Sequence, residues 1–183
     1  MAILVCETLQ PDEVVILRGC KRFVDYRGFD SESFQFVGPY SDPNPGCIQD
    51  ILGMDACPDE HYTRQNIDHD LNKAWCAFAK ANDQIVVTGK WGCGAFGGDP
   101  VFKFLQQLCV ASIHVDKIKR LDYSVCGDNK LMDQLMDLAQ QLEKKSKTVA
   151  DVYQMMVKYG ESSTLCSSVP NFSDYVNGWL NAV

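Results

Sequence analysis

Four short runs rich in β-branched residues punctuate the first two thirds of the chain: Glu13-Val14-Val15-Ile16-Leu17, residues 48–54, Gln84-Ile85-Val86-Val87-Thr88 and residues 121–126. Their length and composition predict strands. Between and after them, apolar positions recur at three- and four-residue intervals, which stacks side chains on one face of a helix. Asp99 as N-cap and Pro100 in the first turn open one such helix, with Phe102, Leu105, Cys109 and Ile113 on a common face. A second begins near Asn129, repeats Leu131, Leu135, Leu138 and Leu142, and ends in Lys144, Lys145 and Lys147, which suit the negative helix terminus. Thr148 with Asp151 three residues on makes a capping-box-like start for a third, whose apolar side is Val149, Val152, Tyr153 and Met156.

Strands interleaved with helices predict an α/β domain in which one sheet is buried between helices. Residues 38–46 hold Pro39, Pro43 and Pro45 and are expected to form a loop. Residues 1–160 carry the regular pattern. Residues 161–183 are set apart as a C-terminal tail in which Tyr175 and Leu180 belong to a last short apolar pattern. The chain opens on the apolar run Ala2-Ile3-Leu4-Val5-Cys6, without the basic flank of a signal peptide, and is expected to begin inside its own core, as a fragment, an internal-start product or a mispredicted gene model would.

Composition narrows the functional classes. The chain of 183 residues has a formal net charge of −7. That balance argues against direct DNA binding, which needs many Lys and Arg contacts to phosphate. An anionic ligand must be held locally, by backbone N–H groups at a Gly-rich turn or a helix N-terminus. The nine cysteines stand at positions 6, 20, 47, 57, 76, 93, 109, 126 and 166, with no Cys-x-x-Cys pair. They read as reduced thiols of a nuclear or cytoplasmic protein, and no metal or cofactor motif is expected. No apolar stretch approaches the roughly 20 residues of a membrane span. His61, His69 and His114 lack ligand spacing and are expected at the surface or in caps.

The chemistry concentrates in Thr88-Gly89-Lys90-Trp91-Gly92-Cys93-Gly94-Ala95-Phe96-Gly97-Gly98-Asp99, between a strand and a capped helix. So many residues without Cβ let the backbone approach a ligand and let successive N–H groups converge on a diphosphate. Phe96 is placed to wall in a sugar or base, and Trp91 to anchor the loop in the core. A tight turn that only lets two elements pack is the plainer alternative. Gly92, Gly94 and Gly97 also satisfy the spacing of the dinucleotide fingerprint, but Gly98-Asp99-Pro100 delays the helix past the motif, against that fold. Cys93 reads either as a reactive thiol or as loop packing.

These words closely resemble the diphosphate-binding stretch of the poly(ADP-ribose) glycohydrolase family. The similarity extends to Pro11-Asp12-Glu13-Val14-Val15-Ile16-Leu17-Arg18-Gly19, to Asp25-Tyr26-Arg27-Gly28-Phe29, to Leu71-Asn72-Lys73-Ala74-Trp75-Cys76-Ala77-Phe78 and to Thr148-Val149-Ala150-Asp151-Val152-Tyr153. It implies a macrodomain-like mixed sheet sandwiched between helices, truncated at the N-terminus. Poly(ADP-ribose) or ADP-ribose is then the expected ligand, and Phe29, Lys90, Gly92, Cys93, Gly94, Ala95 and Phe96 the expected ligand-binding residues. Phe29 stands where the family is expected to have Tyr, Lys90 where it usually has Asn, and Cys126 where it is usually aromatic.

The family's activity, hydrolysis of ribose–ribose glycosidic bonds, implies a catalytic Glu from a paired-Glu motif after a Gly run, upstream of everything matched. No two glutamates are adjacent in this chain, so no catalytic residue is assigned. Asp68 and Asp70, flanking His69, read as a solvated helix start rather than as substitutes. The resemblance therefore leaves three expectations open: part of a glycohydrolase, a non-catalytic ADP-ribose-binding module, or a chain that binds nothing without its missing strands.

Overall fold

The computed structural model describes residues 10–28, 32–43, 48–81, 84–165 and 168–182. The elements in order are β1 (Val14–Cys20), β2 (Val24–Arg27), β3 (Gln35–Pro39), β4 (Gln49–Met54), α1 (Arg64–Phe78), β5 (Gln84–Gly89), α2 (Pro100–Ile113), β6 (Ile118–Ser124), α3 (Asn129–Lys144), α4 (Val149–Leu165) and α5 (Phe172–Asn181). The fold is mixed α/β, and the four anticipated strands are present as β1, β4, β5 and β6.

Their assembly differs from the single sheet anticipated. Among the described residues the strands pair two by two: β1 with β4 antiparallel, β2 with β3 antiparallel, and β5 with β6 parallel. Helices rather than a continuous ladder join β1–β4 to β5–β6, since α1 packs against β1, β4 and α2, and α2 against β6. Nor are both faces of the strands buried. In β5, Val86 points into the core while Ile85 and Val87 on the opposite face are exposed, as the period of two requires when one side is covered.

The β2–β3 hairpin went unread in the sequence. Its side chains are mostly exposed and aromatic or charged, so no apolar alternation marks it, although Tyr26 and Phe34 stack at 5.5 Å between ring centroids. The loop expected at 38–46 begins later, because Gly38 and Pro39 belong to β3 and pair with Asp25 and Val24. A proline at the end of an edge strand gives up no ladder bond.

Helix termini follow the local code. Asp99 accepts from Phe102 N at 2.9 Å and Pro100 takes the first position of α2. Asp128 accepts from Leu131 N at 3.0 Å to start α3. At α4, Thr148 N donates to Asp151 Oδ2 at 2.8 Å and Asp151 N to Thr148 Oγ1 at 3.2 Å, a reciprocal cap. Leu131, Leu135, Leu138 and Leu142 are all buried, as are Phe102, Leu105 and Cys109. Ile113 is exposed instead. The last turn of α2 buries its C-cap His114 beside the Trp75 ring, 5.2 Å between centroids.

The larger core cluster gathers α1 to α5. At its centre Tyr62, Phe102, Tyr159, Phe172 and Tyr175 meet mostly edge to face, the arrangement that ring quadrupoles favour. α4 runs unbroken through Gly160, and α5 buries Phe172, Val176 and Leu180 against it. Gly160 is what permits this approach: a Cβ there would lie 1.8 Å from the Tyr62 carbonyl oxygen. The smaller cluster, with Ala74, Phe78, Val86, Val110 and Ile118, seats α1 and α2 on the strands.

Gly160→Ala isolates this contact. Alanine favours a helix interior by about 1 kcal/mol, yet the clash is with backbone that cannot swing aside. The variant is expected to lose about 1–3 kcal/mol net in urea unfolding; unchanged or raised stability would show that α4 does not sit this close to Tyr62.

Candidate functional site

β5 and β6 run parallel in register, Val86 beside Leu121 and Gly89 beside Ser124, so the chain segments that follow them emerge at the same end. Ligand crevices of α/β folds open at the carboxyl ends of parallel strands. After β5 comes the Gly-rich loop, residues 90–99. After β6 comes a tight turn in which Cys126 (φ 54°) and Gly127 (φ 81°) adopt left-handed backbone. Cys126 is exposed, with its N–H donating to Ser124 Oγ at 3.4 Å.

The base of the Gly-rich loop is tight and its tip is open. Gly92, at φ 73°, has no room for a side chain: a Cβ would sit 2.6 Å from Ala56 Cβ and 3.3 Å from Lys103 Cε. Gly98 N–H donates across the base to the Gly92 carbonyl at 2.9 Å, and Trp91 Nε1–H donates to the Met54 carbonyl at 3.0 Å, fixing the loop to β4. Trp91 thus anchors the loop as its composition suggested. Around Gly94 and Gly97, by contrast, a Cβ would meet nothing within 4 Å. The N–H groups of Gly94, Ala95 and Phe96 have no acceptor among the described residues. Successive unpaired amides at an open turn form a concavity of partial positive charge suited to an anion.

Side chains around this tip take distinct positions. The Phe96 ring is exposed, and its carbonyl accepts from His61 Nε2–H at 2.7 Å. Lys90 is half-buried and makes no ion pair among the described residues. Cys93 Sγ–H points back to the Trp91 carbonyl at 3.5 Å. Burial pushes its thiol up to about 11, with Asp99 adding to the effect and Lys103 and Lys90 opposing it. At neutral pH Cys93 is therefore a protonated thiol, which favours loop packing over nucleophilic use. Phe29, the remaining candidate, lies outside the described residues.

Beneath the loop sits a feature the sequence did not disclose. Asp70 and Lys103, both wholly buried, form an ion pair between α1 and α2. Asp70 Oδ1 also accepts from Cys57 N–H at 2.9 Å. The buried Lys73 ammonium donates to the Asp55 carbonyl at 3.1 Å. This corrects the reading of Asp68 and Asp70 as a solvated helix start. α1 begins earlier, at Arg64 with Thr63 as N-cap, so both residues lie in its second turn. Only Asp68 reaches solvent, accepting from Tyr153 Oη at 2.7 Å. Asp70 is buried because its charge is matched by Lys103, without which desolvation would be prohibitive.

The histidines meet the expected cap at His114 and add contacts that spacing did not signal. His114 caps α2 but is buried, with Nε2 lacking a partner. His61 holds the Gly-rich loop from 35 residues away, which no local spacing signals.

A family model described as poly(ADP-ribose) glycohydrolase, macro domain fold, matches residues 1–133. The chain belongs to the poly(ADP-ribose) glycohydrolase family. Poly(ADP-ribose) glycohydrolase 1 of Caenorhabditis elegans is 23% identical over an alignment covering 87% of this chain and 23% of that protein. Probable poly(ADP-ribose) glycohydrolase 2 of Arabidopsis thaliana is 24% identical over 82% of this chain and 38% of its own length. Poly(ADP-ribose) glycohydrolase 2 of Caenorhabditis elegans is 27% identical over 72% of this chain and 31% of its own. The alignments thus span well under half of each glycohydrolase. The family match takes in the whole Gly-rich loop and the Asp70–Lys103 pair, and ends within α3.

Two measurements probe this geometry. Lys103→Met strands the Asp70 carboxylate and is expected to cost about 3–5 kcal/mol in urea unfolding, whereas Asp70→Leu with Lys103→Met should recover much of that loss. An equal loss in both would show the pair is not what holds α1 to α2. Alkylation mapped by mass spectrometry is expected to label Cys93 far more slowly than the exposed Cys76 and Cys126 at neutral pH, rising only as pH approaches about 11; fast neutral labelling of Cys93 would contradict its burial.

Proposed function

We propose that this chain is the ADP-ribose-holding part of a poly(ADP-ribose) glycohydrolase, with residues 90–98 receiving the diphosphate of ADP-ribose or of a poly(ADP-ribose) terminus. One observation carries this reading: the three successive unpaired amides of Gly94, Ala95 and Phe96 at the open end of a loop whose base is pinned. Amide dipoles fixed in advance bind a diphosphate without the reorganisation that flexible side chains require. Lys90 adds a cation at the rim, and the exposed Phe96 ring offers a wall for a ribose or base. Gly92 and Cys93 shape the backbone, and Phe29 completes the set on grounds of the resemblance alone. With a net charge of −7, attraction for a polyanion must come from this local patch.

Holding differs from cutting. Glycoside hydrolysis requires a carboxylic acid to protonate the leaving oxygen and a second group to assist attack at the anomeric carbon. Asp70, buried between α1 and α2, accepts from Lys103 at Oδ2 and from Cys57 N–H at Oδ1, and Asp99 caps α2, so neither is presented to the open tip of the loop as an acid. In this reading the proton donor belongs to the family's paired-Glu segment, and the residues described here supply orientation. The six described cysteines are all free thiols, in keeping with a nuclear or cytoplasmic setting. No described helix is long and apolar enough to cross a membrane.

Calorimetric titration of the purified chain with ADP-ribose tests the proposal. Binding is expected, absent with adenosine, and weakened about fivefold by Phe96→Ala through loss of roughly 1 kcal/mol of ring contact. No heat at about 1 mM ADP-ribose, weaker than −4 kcal/mol of binding, would end it. Robust degradation of the polymer by these 183 residues alone would overturn the division between holding and cutting.

A further inference from the structure

The geometry points to a soft divalent-cation site, of the zinc class, formed by Cys57, His69 and Asp70 behind the Gly-rich loop. Cys57 lies in the turn after β4, and His69 and Asp70 on the second turn of α1. Cys57 Sγ is 3.4 Å from His69 Nδ1, which is 3.9 Å from Asp70 Oδ1, and the three donor atoms all lie within 4.8 Å of one another. Tetrahedral zinc with ordinary Zn–S, Zn–N and Zn–O bonds sets its ligand atoms about 3.4–3.6 Å apart. The Cys57–His69 separation already matches, the His69–Asp70 one needs a few tenths of an ångström, and the third side, within 4.8 Å, needs a side-chain rotation of at most about 1 Å.

The direction of the donors separates this from a nucleophilic relay. In a Cys–His–Asp relay the thiol and the carboxylate address opposite nitrogens of the imidazole. Here both lie nearest Nδ1, the same imidazole nitrogen, instead of at its two ends. Sulfur, imidazole and a single carboxylate oxygen also suit zinc and not magnesium or calcium, which require shells of oxygen.

Asp70 Oδ2 is held by Lys103, as outer hydrogen bonds hold metal-bound carboxylates, and Oδ1 accepts from Cys57 N–H at 2.9 Å with a second lone pair left for an ion. The Lys73 ammonium is turned aside onto the Asp55 carbonyl. The His69 side chain is 33% exposed, which leaves a route for the ion from solvent. On binding, the Cys57 thiol proton passes to solvent and the thiolate joins the metal. The neighbouring Ala56 is the residue against which Gly92 packs, so metal binding would stiffen the floor of the ligand loop. The site needs no ligand in that loop and stands independently of the proposed function.

Cobalt titration of the reduced, purified chain tests the site, because a thiolate ligand produces a sulfur-to-cobalt charge-transfer absorption. One equivalent of Co²⁺ is expected to develop that band together with intense tetrahedral visible bands, and Zn²⁺ to displace them. Cys57→Ser should abolish the charge-transfer band, His69→Gln should weaken cobalt binding at least about tenfold, and Cys126→Ser should change nothing. Zn²⁺ should raise the unfolding temperature of the wild-type chain but not that of Cys57→Ser. His69→Gln, at a partly exposed position, keeps the test decisive if Cys57→Ser does not fold. No charge-transfer band at excess cobalt overturns the site, as does a band that survives Cys57→Ser or affinity unchanged in His69→Gln.

Discussion

The buried pair of Asp70 and Lys103 ties the functional end of the molecule together. It joins α1 to α2 in the one layer where both helices carry charge inward. Lys103 also presses its aliphatic stem against Gly92 and Gly98, so the residue that satisfies Asp70 is the one on which the base of the Gly-rich loop rests. Ion pairs in such settings add little net stability compared with an apolar contact of equal volume. What this one fixes is register: α2 cannot slide along α1 without exposing an unmatched charge to the core.

With that register set, the parallel pairing of β5 and β6 delivers two segments to one end of the fold. The first is stripped of side chains where the backbone must come close, and the second is held in a left-handed turn at Cys126 and Gly127. In an acidic chain, positive potential can be concentrated by peptide dipoles, which carry no net charge and leave the rest of the surface free to be negative.

Much of this was legible where physics is local. Asp99 and the Thr148–Asp151 pair announced two helix starts, because a cap depends on neighbours three residues away. The leucines of α3 announced its buried face for the same reason. Legibility failed where partners are distant or signals mixed. Asp70 meets Lys103 33 residues on, and His61 meets Phe96 across 35, distances at which spacing carries no information. β2 and β3 escaped notice because exposed strands need no apolar alternation. The single sheet failed for a related reason: β-branched runs identify strands but not which edges meet.

Gly160 gives the far end of the chain a say in the site. Its missing side chain lets α4 rest on the backbone of Tyr62, Tyr62 is stacked among the rings of α2, α4 and α5, and the preceding His61 grips the Phe96 carbonyl. α4 and α5 therefore buttress the Gly-rich loop through Tyr62 and His61. Sequence drift on the inward side of these two helices would reach the backbone of that loop as well as the core they share.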